Sequence, residues 1–221
     1  MTRRVRPRAA FLTAPLLLAA YGAIRLASHH RAPGLGWTLG HLCFLLSLLA
    51  FAPVLVALAR YATRPLAGRL VLALAQVGLV GTIGQAVVDL WAGLTSANHA
   101  AMVSVWDRVD AVPVLKAWFY SSGPACFVAG LTTLAALAAY GAAPRLLPRW
   151  APFVVLGGML LGTGDLDFLP VGAALVAVAL CAPPAPGRAG AAGQAGCASQ
   201  ASMPLSSETR AGSGARDART D

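Results

Sequence analysis

The chain has 221 residues, of which 57% are hydrophobic and 11% charged, and its mean hydropathy is +0.68. A soluble domain carries about 25% charged residues, so this composition indicates lipid as the solvent. The net charge of +9 does not indicate nucleic-acid binding, because the basic residues stand between apolar runs and form no basic stripe.

Six apolar runs follow the basic start of the chain. A helix needs about 20 apolar residues to cross the hydrocarbon core of a bilayer. The predicted spans are residues 9–27, 38–60, 69–94, 115–139, 146–163 and 168–182. We therefore predict an all-α, polytopic transmembrane helical bundle over residues 1–182 and a disordered cytoplasmic tail over residues 183–221. Because the last two runs are short, a re-entrant hairpin stays open as an alternative.

The first apolar run has two interpretations. A basic start before an apolar segment is also typical of a signal peptide. The length of the run, the position of Arg25 near its end and the spans that follow favour an uncleaved first helix.

The third span carries a polar stripe and the only acidic residue inside an apolar run. At about 100° per residue, five residues share one narrow face of the helix. These are Gly78, Gly81, Thr82, Gln85 and Asp89. Small residues allow helices to approach closely and polar residues find partners there, so we predict that this face packs against other helices.

The loop between the third and fourth spans predicts a short helix of its own. Thr95 or Ser96 could cap it and Pro113 would end it. Apolar residues recur at helical spacing between these limits, namely Met102, Val105, Trp106, Val109 and Val112. The pattern predicts an amphipathic helix lying in the membrane surface. Further along, residues 121–124 (SSGP) predict a bend in the fourth span.

The basic residues indicate the orientation of the chain. With six spans, one side receives Arg3, Arg4, Arg6, Arg8, Arg60, Arg64, Arg69, Arg145, Arg149, Arg188, Arg210, Arg216 and Arg219. The other side receives Arg25, Arg31, Arg108 and Lys116. Because cationic loops stay in the cytoplasm, both termini are predicted to be cytoplasmic.

The same assignment places several ionisable residues at one depth on the outer side. Arg25 ends the first span, His41 begins the second and Asp89 lies near the end of the third, with Gln85 one turn deeper. We predict an Arg25–Asp89 pair with His41 nearby. Three interpretations stay open: a charge pair that fixes helix packing, a ligand-binding site that uses Arg25, His41, Gln85 and Asp89, or residues that never meet.

Catalytic, metal and cofactor sites are not predicted. His29, His30, His41 and His99 share the outer side with several aspartates, but they lack a defined ligand spacing. The four cysteines have no CxxC spacing and predict no disulfide framework. No nucleophile, P-loop or dinucleotide motif is present.

In overall style, the chain resembles the small multi-pass integral membrane proteins of high-GC Gram-positive bacteria that have no known function. The likeness lies in the Arg-rich start, the runs WTLGHLCFLLSLLAFAPVLVALAR and RLVLALAQVGLVGTIGQAVVDLWAGL, and the Ala-, Gly- and Arg-rich end. It implies residence in the bacterial cytoplasmic membrane. It implies no site residues.

We therefore expect a non-enzymatic membrane protein with an outer-facing pocket for a small molecule, a lipid or a partner. Its partners would be the lipid bilayer and either a second copy of the chain or another membrane subunit, without nucleic acid. Two alternatives stay open: a small oligomeric transporter or channel component, and a membrane enzyme that uses the outer His/Asp cluster.

Overall fold

The computed structural model describes residues 8–28, 32–141 and 145–183. Helices account for 86% of these residues and none of them lies in a strand, which confirms the all-α prediction. The segments predicted as the basic start and the tail, residues 1–7 and 184–221, lie outside the described residues.

The helices have the following bounds. The four long apolar segments are α1 (Arg8–Ser28), α2 (Leu35–Ala59), α3 (Pro65–Thr95) and the continuous run Pro113–Tyr140. The last of these comprises α5 (Pro113–Ala117), a π-helical turn (Trp118–Ser122) and α6 (Gly123–Tyr140). The shorter helices are α4 (His99–Asp110), α7 (Ala151–Gly164), a 3₁₀ turn (Leu166–Phe168) and α8 (Leu169–Cys181). Four segments are thus long and apolar enough to cross a membrane.

The two C-terminal apolar helices are shorter than the first four segments. At 1.5 Å per residue, the 14 residues of α7 reach about 21 Å, against a hydrocarbon core of about 30 Å. The predicted fifth span began at residue 146, but α7 begins at Ala151. Leu146 and Leu147 are instead buried in the turn before α7, where they extend the apolar core without belonging to the helix.

Six helices form a closed ring in the order α1, α2, α3, α6, α7 and α8, and α8 packs back on α1. A weaker contact between α2 and α6 crosses the interior. The ring has one well-packed half, filled by side chains that are fully buried. These include Phe51, Leu55, Leu58, Leu131, Leu134, Val155 and Val176.

The polar stripe of α3 packs on α6, as the sequence predicted. Gly78 and Gly81 face α6 so closely that a Cβ on Gly78 would overlap the main-chain nitrogen of Phe127. Thr82 is buried on the same face and its hydroxyl donates to the carbonyl of Gly78 at 3.0 Å. Glycine is therefore required at position 78 by the approach of two backbones.

The two ends of the ring differ in charge. At the end we call the arginine end, the α2–α3 connection meets the end of α6, where a Cβ on Gly141 would lie 2.8 Å from the carbonyl oxygen of Tyr61. The cations at this end include Arg60, Arg64, Arg69, Arg145 and Arg149. The opposite end, which we call the acidic end, has Asp89, Asp107, Asp110, Asp165 and Asp167 with the described cations Arg25, Arg108 and Lys116.

The short helix between α3 and α5 forms, but its start differs from the prediction. Thr95 is the last residue of α3, and the side chain of Asn98 caps α4 by accepting from the backbone N–H of Ala101 at 2.9 Å. Because α3 extends through Thr95, one residue beyond the predicted span, the cap of α4 lies further along the chain, at Asn98. The apolar face of α4 packs on the bundle, because Met102 and Val105 are buried against protein.

Candidate functional site at the acidic end

The ring encloses a cavity of about 610 Å³ that begins at the acidic end. Every helix of the ring contributes to its wall, and α4 and α5 lie beside its opening through Trp106 and Lys116. Pockets that bind small molecules have volumes of about 300 to 1,000 Å³. The cavity is therefore large enough for a ligand.

The wall of the cavity changes from polar to apolar with depth. Near the opening it is formed by Arg25, Trp37, His41, Gln85, Asp89, Trp106, Asp110, Lys116 and Tyr120. Deeper in the ring it is formed by Leu18, Leu48, Phe51, Thr82, Phe127, Val128, Met159 and Ala173. The rings of Phe51 and Phe127 meet edge to face at 5.4 Å and form the floor. From His41 to Phe51 the helix rises about 15 Å, roughly half of a hydrocarbon core.

Asp89 is the polar centre of the opening. Its Oδ1 accepts a hydrogen bond from Trp106 Nε1 at 3.0 Å, and its main-chain oxygen accepts one from Trp37 Nε1 at 2.8 Å. Its Oδ2 lies 4.0 Å from Nε2 of His41, beyond hydrogen-bond length. Three aromatic or imidazole side chains from α2 and α4 thus converge on this one residue of α3.

The orientation of His41 is fixed by its own helix. Nδ1 lies 2.9 Å from the carbonyl oxygen of Trp37, and because a carbonyl can only accept, Nδ1 carries the proton of that bond. The imidazole also stacks on the indole of Trp37, with ring centroids 4.1 Å apart. Nε2 is therefore the nitrogen that faces Asp89 and the cavity.

Trp37 reaches Asp89 because α3 has a glycine where the two helices approach. A Cβ on Gly93 would overlap the indole ring of Trp37. The absence of that Cβ allows the ring to lie flat against α3 and to donate to its backbone. Neither the position of this glycine nor the role of Trp37 could be read from the local pattern of either helix.

Arg25 also lines the cavity, but it does not form the ion pair that the sequence predicted. Asp89 has its short side-chain contact with Trp106, and no Arg25–Asp89 ion pair lies within 4.0 Å in the described structure. The Nε atom of Arg25 is buried without a hydrogen-bond partner among the described residues. The predicted pair is thus replaced by a Trp106–Asp89 bond, because α4 folds its indole between the two spans.

Tyr120 is the second donor without a partner. It lies in the π-helical turn before α6, where Gly123 N–H donates to the carbonyl of Trp118 five residues earlier. Such turns occur often at functional sites because they redirect side chains. The buried hydroxyl of Tyr120 has no hydrogen-bond partner among the described residues, although its side chain lines the cavity.

The opening of the cavity lies beside two polar features. Lys116 and Asp110 form an exposed ion pair of 2.9 Å at its edge. A second, smaller cavity of about 370 Å³ adjoins it, lined by Arg25, Trp37, His99, Trp106 and Leu166. Four of these five residues also line the large cavity, so the two cavities are adjacent.

The structure brings all four predicted site residues, Arg25, His41, Gln85 and Asp89, to the wall of one cavity. Trp37 and Tyr120 were not among the residues predicted for the site, and Trp106 was predicted on the apolar face of a helix lying in the membrane surface. Trp106 does belong to the apolar stripe of α4, but the fold turns this stripe inward.

The predicted histidine group cannot be followed completely, because His29 and His30 lie outside the described residues. Within the ranges that the structure describes, no three His, Cys, Asp or Glu residues come together as metal ligands would. Comparison of the chain with models of protein families, with curated proteins and with solved structures finds no match. The site is therefore interpreted from its own geometry.

Proposed function

We propose that the chain is a non-enzymatic, six-span membrane protein that binds an amphiphilic small molecule or lipid in the acidic-end cavity. One observation carries the proposal: the wall of the cavity is polar at its opening and apolar at its floor. This gradient matches a molecule with a polar head and an apolar body. Burial of the apolar body would contribute about 25 cal/mol per Å².

The proposed placement in the membrane follows from the charges. The arginine end would face the cytoplasm and the acidic end would face outward in a bacterial plasma membrane. α7 and α8 would be the fifth and sixth spans, with α4 lying in the outer membrane surface above the cavity. Labelling by a membrane-impermeant maleimide tests this orientation: Ser104→Cys should react in intact cells and Thr63→Cys should not, each in a background without the native cysteines.

Binding is better supported than transport because one half of the ring is filled. Below the Phe51–Phe127 floor, the fully buried core includes Leu55, Leu58 and Leu134. A transporter would need this core to open, and a channel through one copy would need it to be absent.

The experiment fills the cavity without changing its polar end. Ala173 lines the apolar part and is buried, whereas its neighbour Ala174 is exposed on the outside of α8. Ala173→Leu therefore places extra carbon atoms in the cavity, and Ala174→Leu places the same atoms on the outer surface. Both variants and the parent protein would be released from native membranes in mild detergent and weighed by native mass spectrometry.

We expect the parent and Ala174→Leu to retain a bound amphiphile at one copy per chain and Ala173→Leu to lose it. Equal unfolding midpoints of the two variants would show that the loss is local. An empty parent protein, or the same ligand retained at full occupancy by Ala173→Leu, would contradict the proposal. Retention of a second copy of the chain, or of another subunit, in place of a small ligand would contradict ligand binding and support partner binding.

A further inference from the structure

We infer that the ligand is a single-chain amphiphile with an anionic headgroup that has acceptor oxygens, a carboxylate or a phosphate, bound by Arg25 and Tyr120. The inference rests on the proposed function and specifies its ligand. It depends on which polar groups of the cavity have partners and which do not.

Two fully buried polar atoms of the cavity wall lack partners, and both can donate. Nε of Arg25 and the hydroxyl of Tyr120 are each buried and without a hydrogen-bond partner among the described residues, and both side chains line the cavity. A buried donor without a partner is unfavourable by about 1 to 3 kcal/mol, and more when the donor is charged. A ligand with acceptor oxygens at this level would satisfy both.

Some of the acceptors at the opening already have donors, although Oδ2 of Asp89 has only Nε2 of His41 nearby, at 4.0 Å. Oδ1 of Asp89 accepts from Trp106, and its main-chain oxygen accepts from Trp37. Asp110 is paired with Lys116. An anionic headgroup would meet the guanidinium of Arg25, which binds planar and tetrahedral oxyanions, whereas a cationic headgroup would leave Nε of Arg25 and the hydroxyl of Tyr120 without acceptors.

The volume limits the tail to one chain. A heavy atom with its hydrogens occupies about as much space as a water molecule, about 30 Å³ in a liquid. The cavity of about 610 Å³ therefore holds roughly 20 such groups. This is far fewer than the number of heavy atoms in a two-chain phospholipid. It fits a headgroup at the level of Arg25 with a single hydrocarbon chain that ends at the Phe51–Phe127 floor.

A purely structural role for Arg25 makes a different prediction. Arg25 lies in the last turn of α1, where a cation is stabilised by the negative end of the helix dipole and can extend toward the surface. In that case its replacement would change stability but would not distinguish between ligands that differ only in their headgroups.

The test uses four probes on the full chain in detergent: dodecanoate, dodecyl phosphate, dodecanol and inorganic phosphate. Each is titrated by native mass spectrometry into the parent, Arg25→Gln and Tyr120→Phe. Matched controls are Arg108→Gln, exposed at the acidic end, and Tyr140→Phe, exposed at the arginine end. Dodecanol has the same tail without the anionic head, and inorganic phosphate has the anionic head without the tail.

We expect both anionic amphiphiles to bind more tightly than dodecanol, and inorganic phosphate not to bind. Arg25→Gln should weaken the anionic amphiphile by at least about tenfold, the value of one charged hydrogen bond, and leave dodecanol unchanged. Tyr120→Phe should weaken it by a smaller factor, and both controls should match the parent. The tighter of dodecanoate and dodecyl phosphate identifies the headgroup.

The headgroup inference and the proposed function would be contradicted by different outcomes. Equal binding of dodecanol and dodecanoate, unaffected by Arg25→Gln, would overturn the headgroup inference and keep the cavity as a binding site. Failure of every amphiphile to bind the parent protein would overturn the proposed function itself. Retained dodecanol binding by Arg25→Gln also shows that the variant is folded.

Discussion

The hydrogen bond between Trp106 and Asp89 should be detectable as an energetic coupling between α4 and α3. Asp89→Leu leaves the indole N–H of Trp106 without its acceptor, and Trp106→Phe leaves Oδ1 of Asp89 without its donor. Each single change therefore leaves one polar group unpaired in a partly buried site. The double variant removes both groups and should be less destabilised than the sum of the two single variants.

The expected coupling energy is about 1 to 2 kcal/mol. Hydrogen bonds to charged groups contribute about 1.5 to 3 kcal/mol in water-soluble proteins, whereas side-chain bonds between membrane helices average about 0.6 and reach about 1.7 kcal/mol. The 3.0 Å length and the 14% exposure of the Asp89 side chain favour the upper part of the membrane range.

The free energy of unfolding would be measured by titration with SDS in mixed micelles for the parent, the two single variants and the double variant. Trp150→Phe combined with Asp89→Leu provides the control, because Trp150 is exposed at the arginine end. We expect that pair to be additive within about 0.5 kcal/mol. Additive effects of Trp106→Phe and Asp89→Leu would refute our description of how α4 is held over the cavity.

Three further predictions concern packing and capping. Gly78→Ala should lower the free energy of unfolding by more than about 2 kcal/mol because the new Cβ meets the backbone of α6. Gly157→Ala, with open space around it, should be neutral or stabilising. Thermal unfolding in detergent compares the two variants, and equal losses of stability would refute the close helix contact. Ser47→Ala should lose about 1 kcal/mol, measured by SDS titration, because its buried hydroxyl donates to a carbonyl of α1 at 2.7 Å, and an unchanged stability would contradict that bond. Asn98→Ala should lower the local stability of α4 by about 0.5 to 2 kcal/mol, which would be measured as faster amide hydrogen exchange. Unchanged exchange would show that the cap is not needed.

The helical class and the buried stripe of α3 could be predicted because both depend on local sequence. The high apolar and low charged content of the chain indicates a membrane environment, and a helix face that includes Gly78 and Thr82 is expected to pack on protein in any bundle. The positions of Arg25, His41 and Asp89 along their helices also predicted their similar depth. Depth follows from counting residues along a span of known rise.

The partners of these residues could not be predicted because they depend on contacts between distant segments. Asp89 bonds to Trp106 instead of Arg25 because α4 folds back over the ring, and Trp37 reaches α3 because position 93 lacks a Cβ. The donor role of Tyr120 depends on a π-helical turn whose register is set by packing. The cap of α4 moved to Asn98 since α3 continues through Thr95.

Photo-crosslinking from inside the cavity tests the central claim most directly. Phe44 lines the cavity and is half-buried, whereas Phe153 is exposed on the outside of α7. p-Benzoylphenylalanine would be placed at each position in cells, and the adducts would be identified by mass after irradiation. We expect position 44 to yield one discrete amphiphile that added dodecanoate displaces, and position 153 to yield mixed bulk lipids that it does not displace. The same mixed lipids at both positions, or no adduct at position 44, would contradict a ligand-binding cavity.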